Sequence, residues 1–271
     1  MNYLQLEFEI ENDVESEILI ALLSQAGFES FEEADNSLKA FIKEDEFNEG
    51  SVEEILKIVP VNYVITIIPQ QNWNAQWESS FEPIIVNDFV AIRAGFHQPV
   101  QSIKHEIIIT PKMSFGTGHH ATTYLMIEQM EDLDFKNKTV VDYGTGTGVL
   151  AILAEKMGAT AVDAIDYDEW SIENSKENVA SNNCTKISLL KAVTITTGKV
   201  YDIILANINL HVILNNLAAI KATAKKGTII LLSGFIKADE DIMINALTAN
   251  GIMVHNTLQK GEWICILAEK I

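Results

Sequence analysis

The sequence predicts an α/β protein: a mostly parallel sheet that ends in an antiparallel hairpin, preceded by a small α+β domain. Three observations carry this. From residue 139 onward, short apolar runs alternate with helical patterns, the order that builds parallel βαβ units. The first of these units turns from strand to helix through glycines at 144, 146 and 148. Residues 1–69 follow a separate β-α-β-β-α-β order, and for 271 residues two domains are the better prior.

Residues 3–10 alternate Leu4, Leu6, Phe8 and Ile10 with polar neighbours, the period of a strand with one buried face. Residues 14–26 place Ile18, Leu19, Leu22 and Leu23 on one helical stripe, and Gly27 stands where a helix ends. Strands FESFEEA and SLKAFIKE flank the turn-prone pair Asp35–Asn36. A second helix, about Ser51–Val59, leads through Pro60 to the strand NYVITIIP. This is the ferredoxin-like split βαβ order, which names no chemistry by itself. Residues 70–83 set Trp73, Trp77 and Phe81 four apart, one aromatic stripe on a linker helix. That stripe reads as inter-domain packing, with a substrate-contacting wall as the alternative.

Residues 84–271 make the second domain. Strands are expected at 84–94 and 105–110, before the loop PKMSFGTGHHATT at 111–123. Adjacent His119 and His120 lack an acidic or cysteine partner at ligand spacing, so no metal is expected; either could act as a general base. The strand TVVDY then meets the glycines, which permit positive φ and close approach of a flat ligand. The following helix places Leu150, Leu153, Ala154 and Met157 on one face. A second strand, AVDAI, ends in Asp166, where a nucleotide-binding βαβ unit places the acid that holds a ribose. Asp168–Ala180 is expected to be a helix with Ile172 and Val179 inward. KISLL is a further strand, and YDIILAN delivers Asn207 to the carboxyl edge, where open α/β sheets hold ligands. KKGTIILLSGF, a helix at Ala238–Asn250 and a hairpin turning at Gln259–Gly261 complete the chain.

Bulk composition narrows the partners. A formal charge of −19 opposes non-specific binding to a nucleic-acid backbone and favours a basic partner. Cys184 and Cys265 are the two cysteines; they form neither a CxxC nor a ligand pattern and read as buried apolar residues. The start shows no basic-then-apolar leader, and no apolar run approaches the roughly 20 residues of a membrane helix. A cytoplasmic protein is expected.

The ligand follows from spacing. A dinucleotide fingerprint runs GxGxxG and meets a pyrophosphate, whereas here the glycines run GxGxG behind Asp142. An acid there would repel pyrophosphate and suit the ammonium of a methionine moiety. The loop, Asp166 and the terminal hairpin together resemble a Rossmann-like class I S-adenosylmethionine-dependent methyltransferase. PKMSFGTGHHATT, VVDYGTGTGVLAILAEKMGA, ANI at 206–208, LLSGF and GEWICIL, in that order, resemble the ribosomal protein L-eleven methyltransferase family. Its usual Asp-Pro-Gly opening is replaced here by Thr110–Pro111–Lys112.

The resemblance implies that Thr123, Gly144, Asp166 and Asn207 contact S-adenosylmethionine, alongside Asp142, Gly146 and Gly148. It implies that Phe115, Gly116, Thr117 and Gly118, with His119 and His120, close over the methyl group and the incoming amine. Asn207 is then the amine-positioning group, with Thr117 and the histidines as further catalytic candidates and His120 on the motif's own histidine. The implied reaction methylates lysine side chains and the α-amine of a basic large-subunit ribosomal protein before assembly, docked by residues 1–69. A monomer needing no metal, membrane or direct nucleic-acid contact is expected. Alternatives are another basic protein or a nucleobase as substrate, a nicotinamide oxidoreductase, and a catalytically silent ribosome-assembly factor. Nucleobase enzymes commonly carry Asn/Asp-Pro-Pro-aromatic where this chain has Asn207–Ile208–Asn209–Leu210.

Overall fold

Alternation of apolar and polar residues organises the first of two compact units, Met1–Ser80 and Phe81–Ile271. The structure is a computed structural model that describes residues 2–34, 36–68, 81–112, 116, 118–195 and 198–271. The tryptophan stripe of the expected linker helix, Trp73 and Trp77, lies outside the described residues, as does Asp35. Among the described residues no helix is long and apolar enough to cross a membrane.

In the first unit the order is β1 (Tyr3–Glu9), α1 (Asp13–Gln25), β2 (Ser30–Ala34), β3 (Ser37–Lys43), α2 (Glu49–Leu56) and β4 (Tyr63–Ile68). The strands form one antiparallel sheet in the order β2-β3-β1-β4, as the split βαβ connectivity requires. Leu4, Leu6 and Phe8 of β1 share a buried face with Leu38, Ala40 and Ile42 of β3, because directly opposed residues point to one side. Leu19 and Leu23 of α1 pack there, whereas Ile18, expected on the same stripe, is 42% exposed. Helix α2 begins two residues before the expected Ser51. The Asn48 side chain accepts from the Ser51 N–H at 3.2 Å and so caps it early.

The second unit holds a small sheet, β5 (Ile84–Val86), β6 (Val90–Ala94) and β7 (His105–Ile109), in that order, with β6 and β7 parallel. Its main sheet has seven strands ordered β10-β9-β8-β11-β12-β14-β13. These are β8 (Thr139–Tyr143), β9 (Ala161–Asp166), β10 (Ile187–Lys191), β11 (Tyr201–Asn207), β12 (Ala224–Ile236), β13 (Ile252–Lys260) and β14 (Trp263–Lys270). The first five are parallel and β14 runs antiparallel to β12. The hairpin enters the sheet by its second arm. Ile264, Cys265 and Ile266 are buried on both faces, while β13 is mostly polar and stays at the edge.

Central strands buried on both sides explain the continuous apolar runs. Along β8, Val140 joins a core with Leu125, Leu150 and Leu153, and Val141 joins the opposite core with Leu217 and Leu247. Helices α3 (Ala121–Glu131) and α4 (Val149–Lys156) cover the first face; α6 (Leu210–Ala222) and α7 (Glu240–Ala249) cover the second. A short 3-10 turn, Lys237–Asp239, precedes α7.

Helix α5 (Glu169–Ser181) corrects an expectation. Its buried face is Ser171, Asn174, Ser175 and Asn178; Val179 packs half-buried against the core as expected, while half-buried Ile172 joins no core cluster among the described residues. The reason is its neighbour: this helix packs on backbone, namely the glycine turn and the outer edge of β7. Burying those peptide groups requires side chains that hydrogen-bond them.

Candidate functional site

All five parallel strands end on one side, and there the main sheet carries a cavity of about 700 Å³, in the range of small-molecule sites. Tyr143, Gly144, Gly146, Asp166, Asn207, Gly234, His120 and Trp263 contribute to its wall. The cavity therefore crosses the carboxyl edge from β10 to the start of β14, as Ala192, Val193 and Trp263 also line it.

The glycine turn is shaped by what each position must avoid. Gly144 has φ +78°, and a Cβ there would lie 2.1 Å from Ile208 Cγ2, so only glycine lets the turn pass beneath the chain after β11. The Gly144 and Thr145 N–H groups donate to the Ile165 carbonyl at 2.8 and 2.9 Å, tying the turn to β9. Gly146 N–H donates to Asp166 Oδ2 at 2.9 Å, and Asp168 N–H donates to Asp166 Oδ1 at 3.0 Å. Each carboxylate oxygen thus has one protein partner, and Asp166 still lines the cavity. The remaining lone pairs are available to hydroxyl donors. Gly148, φ +81°, is the N-cap of α4 and does not line the cavity.

Asn207 ends β11 buried. Its Nδ2 reaches Thr123 Oγ1 at 3.3 Å, and its buried Oδ1 has no hydrogen-bond partner among the described residues. A buried carbonyl oxygen left open costs about 1–3 kcal/mol. Thr123 itself stands behind Asn207 and lines a separate hollow of about 10 Å³ with Gly116, Gly144, Thr145 and Thr147. Thr123 does not line the main cavity; it touches Asn207, which does.

His120 caps α3. Its Nδ1 accepts from Thr122 N–H at 3.3 Å and lies 2.8 Å from Thr122 Oγ1, and its ring meets Trp263 edge-on at 4.5 Å. His120 thus lines the cavity while its Nδ1 side meets the first turn of α3. His119 is exposed and absent from the cavity wall; its ring packs edge-on against Phe81 at 4.7 Å. Phe115 and Thr117 lie outside the described residues. The Gly116 carbonyl accepts from Thr147 Oγ1 at 2.7 Å, and Gly118 is buried at φ +96°.

Asp142 lies beneath the turn, not on the wall. It is buried, and Thr145 Oγ1 donates to its Oδ2 at 2.6 Å. Burial pushes its carboxyl up from 3.8 to about 7, against the lowering effects of the Thr145 hydroxyl and the Ala151 N–H. A raised folded-state value means that Asp142 contributes stability present below about pH 4 and lost as pH rises through about 7. Asp142→Asn is expected to flatten the decline in unfolding temperature across that window. An unchanged pH profile in the variant would remove Asp142 as its source.

Several wall residues escaped sequence reasoning. Tyr167, 73% exposed at the rim beside Asp166, offers a flat ring, and the Tyr143 hydroxyl donates to the Val193 carbonyl at 2.7 Å. Gly234 sits at a register shift in β12 with φ +98°, where a Cβ would lie 2.3 Å from the Ile208 carbonyl oxygen. A glycine inside an apolar strand was the available signal for it. Trp263 stands within the GEWICIL segment of the resemblance, which assigns it no role.

Comparison with known proteins agrees with this construction. The family profile described as "Ribosomal protein L11 methyltransferase (PrmA)" matches residues 7–271. A ribosomal protein L11 methyltransferase of Phocaeicola vulgatus is 35% identical over 276 residues, 98% of each chain. One of Chlorobaculum tepidum is 39% identical over 282 residues, covering 99% of this chain and 96% of its own. The crystal structure of a ribosomal protein L11 methylase from Lactobacillus delbrueckii subsp. bulgaricus superposes with a TM-score of 0.66 at 28% identity. That match covers 70% of this chain and 99% of the other. With the profile spanning nearly its whole length, the chain belongs to the ribosomal protein L11 methyltransferase family.

Proposed function

We propose that this protein transfers methyl groups from S-adenosylmethionine to amines of ribosomal protein L11, on lysine side chains and the N-terminal α-amine. The single observation that carries the reading is the presence on one cavity wall of Asp166 and Asn207, delivered by the carboxyl ends of β9 and β11 beside the glycine turn. Family membership and the names of the relatives support the substrate.

The residues present fit the cofactor. Asp166 has lone pairs free for two ribose hydroxyls, the glycine turn admits a flat group against backbone, and the Tyr167 ring can cover a base. Gly144, Gly146, Asp166 and Asn207 would hold it. When bound, S-adenosylmethionine supplies an electrophilic methyl group on a sulfonium.

What the chain does is orient and desolvate. Asn207, at the end of β11 on the cavity wall, orients the incoming amine, and Thr123 fixes the direction of its amide from behind. A lysine amine has a reference pKa of about 10.4, so its neutral, nucleophilic form must be favoured by the site. Trp263 and Ile208 provide apolar surface that disfavours the ammonium form. His120 Nδ1 faces the helix cap, and proton loss from the amine to water before the site fills needs no general base.

Charge supports the docking role proposed for residues 1–69. Residues 1–80 contain 17 Asp and Glu against three Lys, so they hold −14 of the total −19. A field concentrated on one unit steers a basic protein toward it. The chain should label L11 when incubated with methyl-labelled S-adenosylmethionine and separated large-subunit ribosomal proteins. Absence of label in every basic ribosomal protein would overturn the substrate assignment.

A further inference from the structure

Helix α5 holds two elements at once by hydrogen bonds from asparagines spaced one turn apart. Toward β7, Asn182 bonds both backbone groups of Ile108: Ile108 N–H donates to Oδ1 at 3.0 Å and Nδ2 donates to the carbonyl at 2.6 Å. Asn178 Oδ1 accepts from Thr110 N–H at 2.7 Å, and Asn174 Nδ2 donates to the Thr110 carbonyl at 3.1 Å. These side chains take the place of a neighbouring strand along the outer edge of β7. Toward the glycine turn, Ser175 Oγ donates to the Gly146 carbonyl at 2.6 Å and Asn178 Nδ2 donates to the Thr147 carbonyl at 2.8 Å.

Asn178 belongs to both sets. Its amide spans Thr110 on one side and Thr147 on the other, and both bonds are buried or nearly so. Thr147 in turn donates its hydroxyl to the Gly116 carbonyl. The chain leaving β7 is therefore tied to the glycine turn twice, through Asn178 at Thr110 and through Thr147 at Gly116.

We propose that Asn178 is a positioning residue for methyl transfer, setting the register between the glycine turn that receives S-adenosylmethionine and the end of β7. Apolar packing could hold α5 against the sheet, but it tolerates sliding. A buried amide with both ends bonded fixes separation and direction, and losing one partner leaves a buried group open. The inference rests on the proposed use of the cavity for S-adenosylmethionine.

Three variants test it by calorimetric titration of S-adenosylmethionine, thermal unfolding, and kcat and KM for the protein substrate. Asn178→Asp keeps the volume and the acceptor for Thr110 but loses the donor to Thr147. Asn178→Ala loses both. Asn182→Ala breaks contacts to β7 and to its own helix without touching the turn. Both Asn178 variants are expected to weaken S-adenosylmethionine binding by at least about tenfold and to lower kcat at saturation. Asn182→Ala is expected to lower the unfolding temperature while leaving affinity for the cofactor within about twofold. Affinity losses that merely follow the unfolding temperature across all three variants, or no loss at position 178, would overturn the inference alone. A wild-type protein that gives no binding heat would overturn the reading of the cavity as well.

Discussion

Asp166→Ala is expected to weaken S-adenosylmethionine binding by about a hundredfold or more. Each hydrogen bond to a charged acceptor contributes about 1.5–3 kcal/mol, and two ribose hydroxyls would lose theirs at once. A second loss adds to the first. The Gly146 and Asp168 N–H groups, which now donate at 2.9 and 3.0 Å, would be left without an acceptor. The turn would keep its Gly144 and Thr145 bonds to Ile165 but lose its tie at Gly146, just where the cofactor is to lie. Asp166→Asn, which keeps the volume but puts an N–H toward one of those donors, should fall between wild type and alanine. Calorimetric titration reads this directly; equal affinity in wild type and Asp166→Ala would remove Asp166 from the binding site.

Gly234→Ala is expected to impair both stability and turnover, although Gly234 stands on another strand from every residue with proposed chemistry. Its φ of +98° already disfavours a side chain, at about 1–2 kcal/mol. The added Cβ would also meet backbone rather than a movable side chain: Ile208 O, C and N at 2.3, 2.6 and 2.8 Å. Relief requires the segment after β11 to move, and Asn207 moves with it. A total of about 3 kcal/mol in denaturant unfolding is expected, and displacement of a positioning group by about 1 Å can cost a hundredfold in rate. Wild-type kcat in Gly234→Ala would show that the Ile208 turn is not held in place by this contact.

These two residues mark what can be read from residue order. Asp166 was legible because it follows the glycine turn at the interval of one βαβ unit, a local relation. Gly234 and Trp263 meet the same cavity from later strands, and only the order β8-β11-β12-β14 brings them beside Gly144. The apolar runs of β8 and β11 marked them as strands, and the structure buries both on two faces, as parallel strands covered on both sides require. Periodicity misjudged α5 for the converse reason: a helix packed on peptide groups buries amides, and its inward face reads as a polar one. The position of β14 inside the sheet was likewise out of reach of connectivity, since a hairpin can enter by either arm. His120 was visible as a motif histidine, but its use as a helix cap depends on the ring orientation that the Thr122 N–H selects.

The depth of Asp142 follows the same pattern. As a letter before GxGxG it is an acid facing a ligand; folded, it is a carboxyl under the turn, hydrogen-bonded to the turn's own Thr145. Its contribution is then to the shape and titration of the turn, and the wall is left to Asp166 and Asn207.

The most direct test of the whole account is transfer itself, followed to the level of the modified atom. Purified L11 and S-adenosylmethionine, incubated with the full chain and resolved by peptide mass spectrometry, should yield L11 carrying whole methyl increments on lysine side chains and on its N-terminal amine, with Asn207→Ala strongly reduced. L11 recovered unmodified under conditions where calorimetry shows the cofactor bound would contradict it.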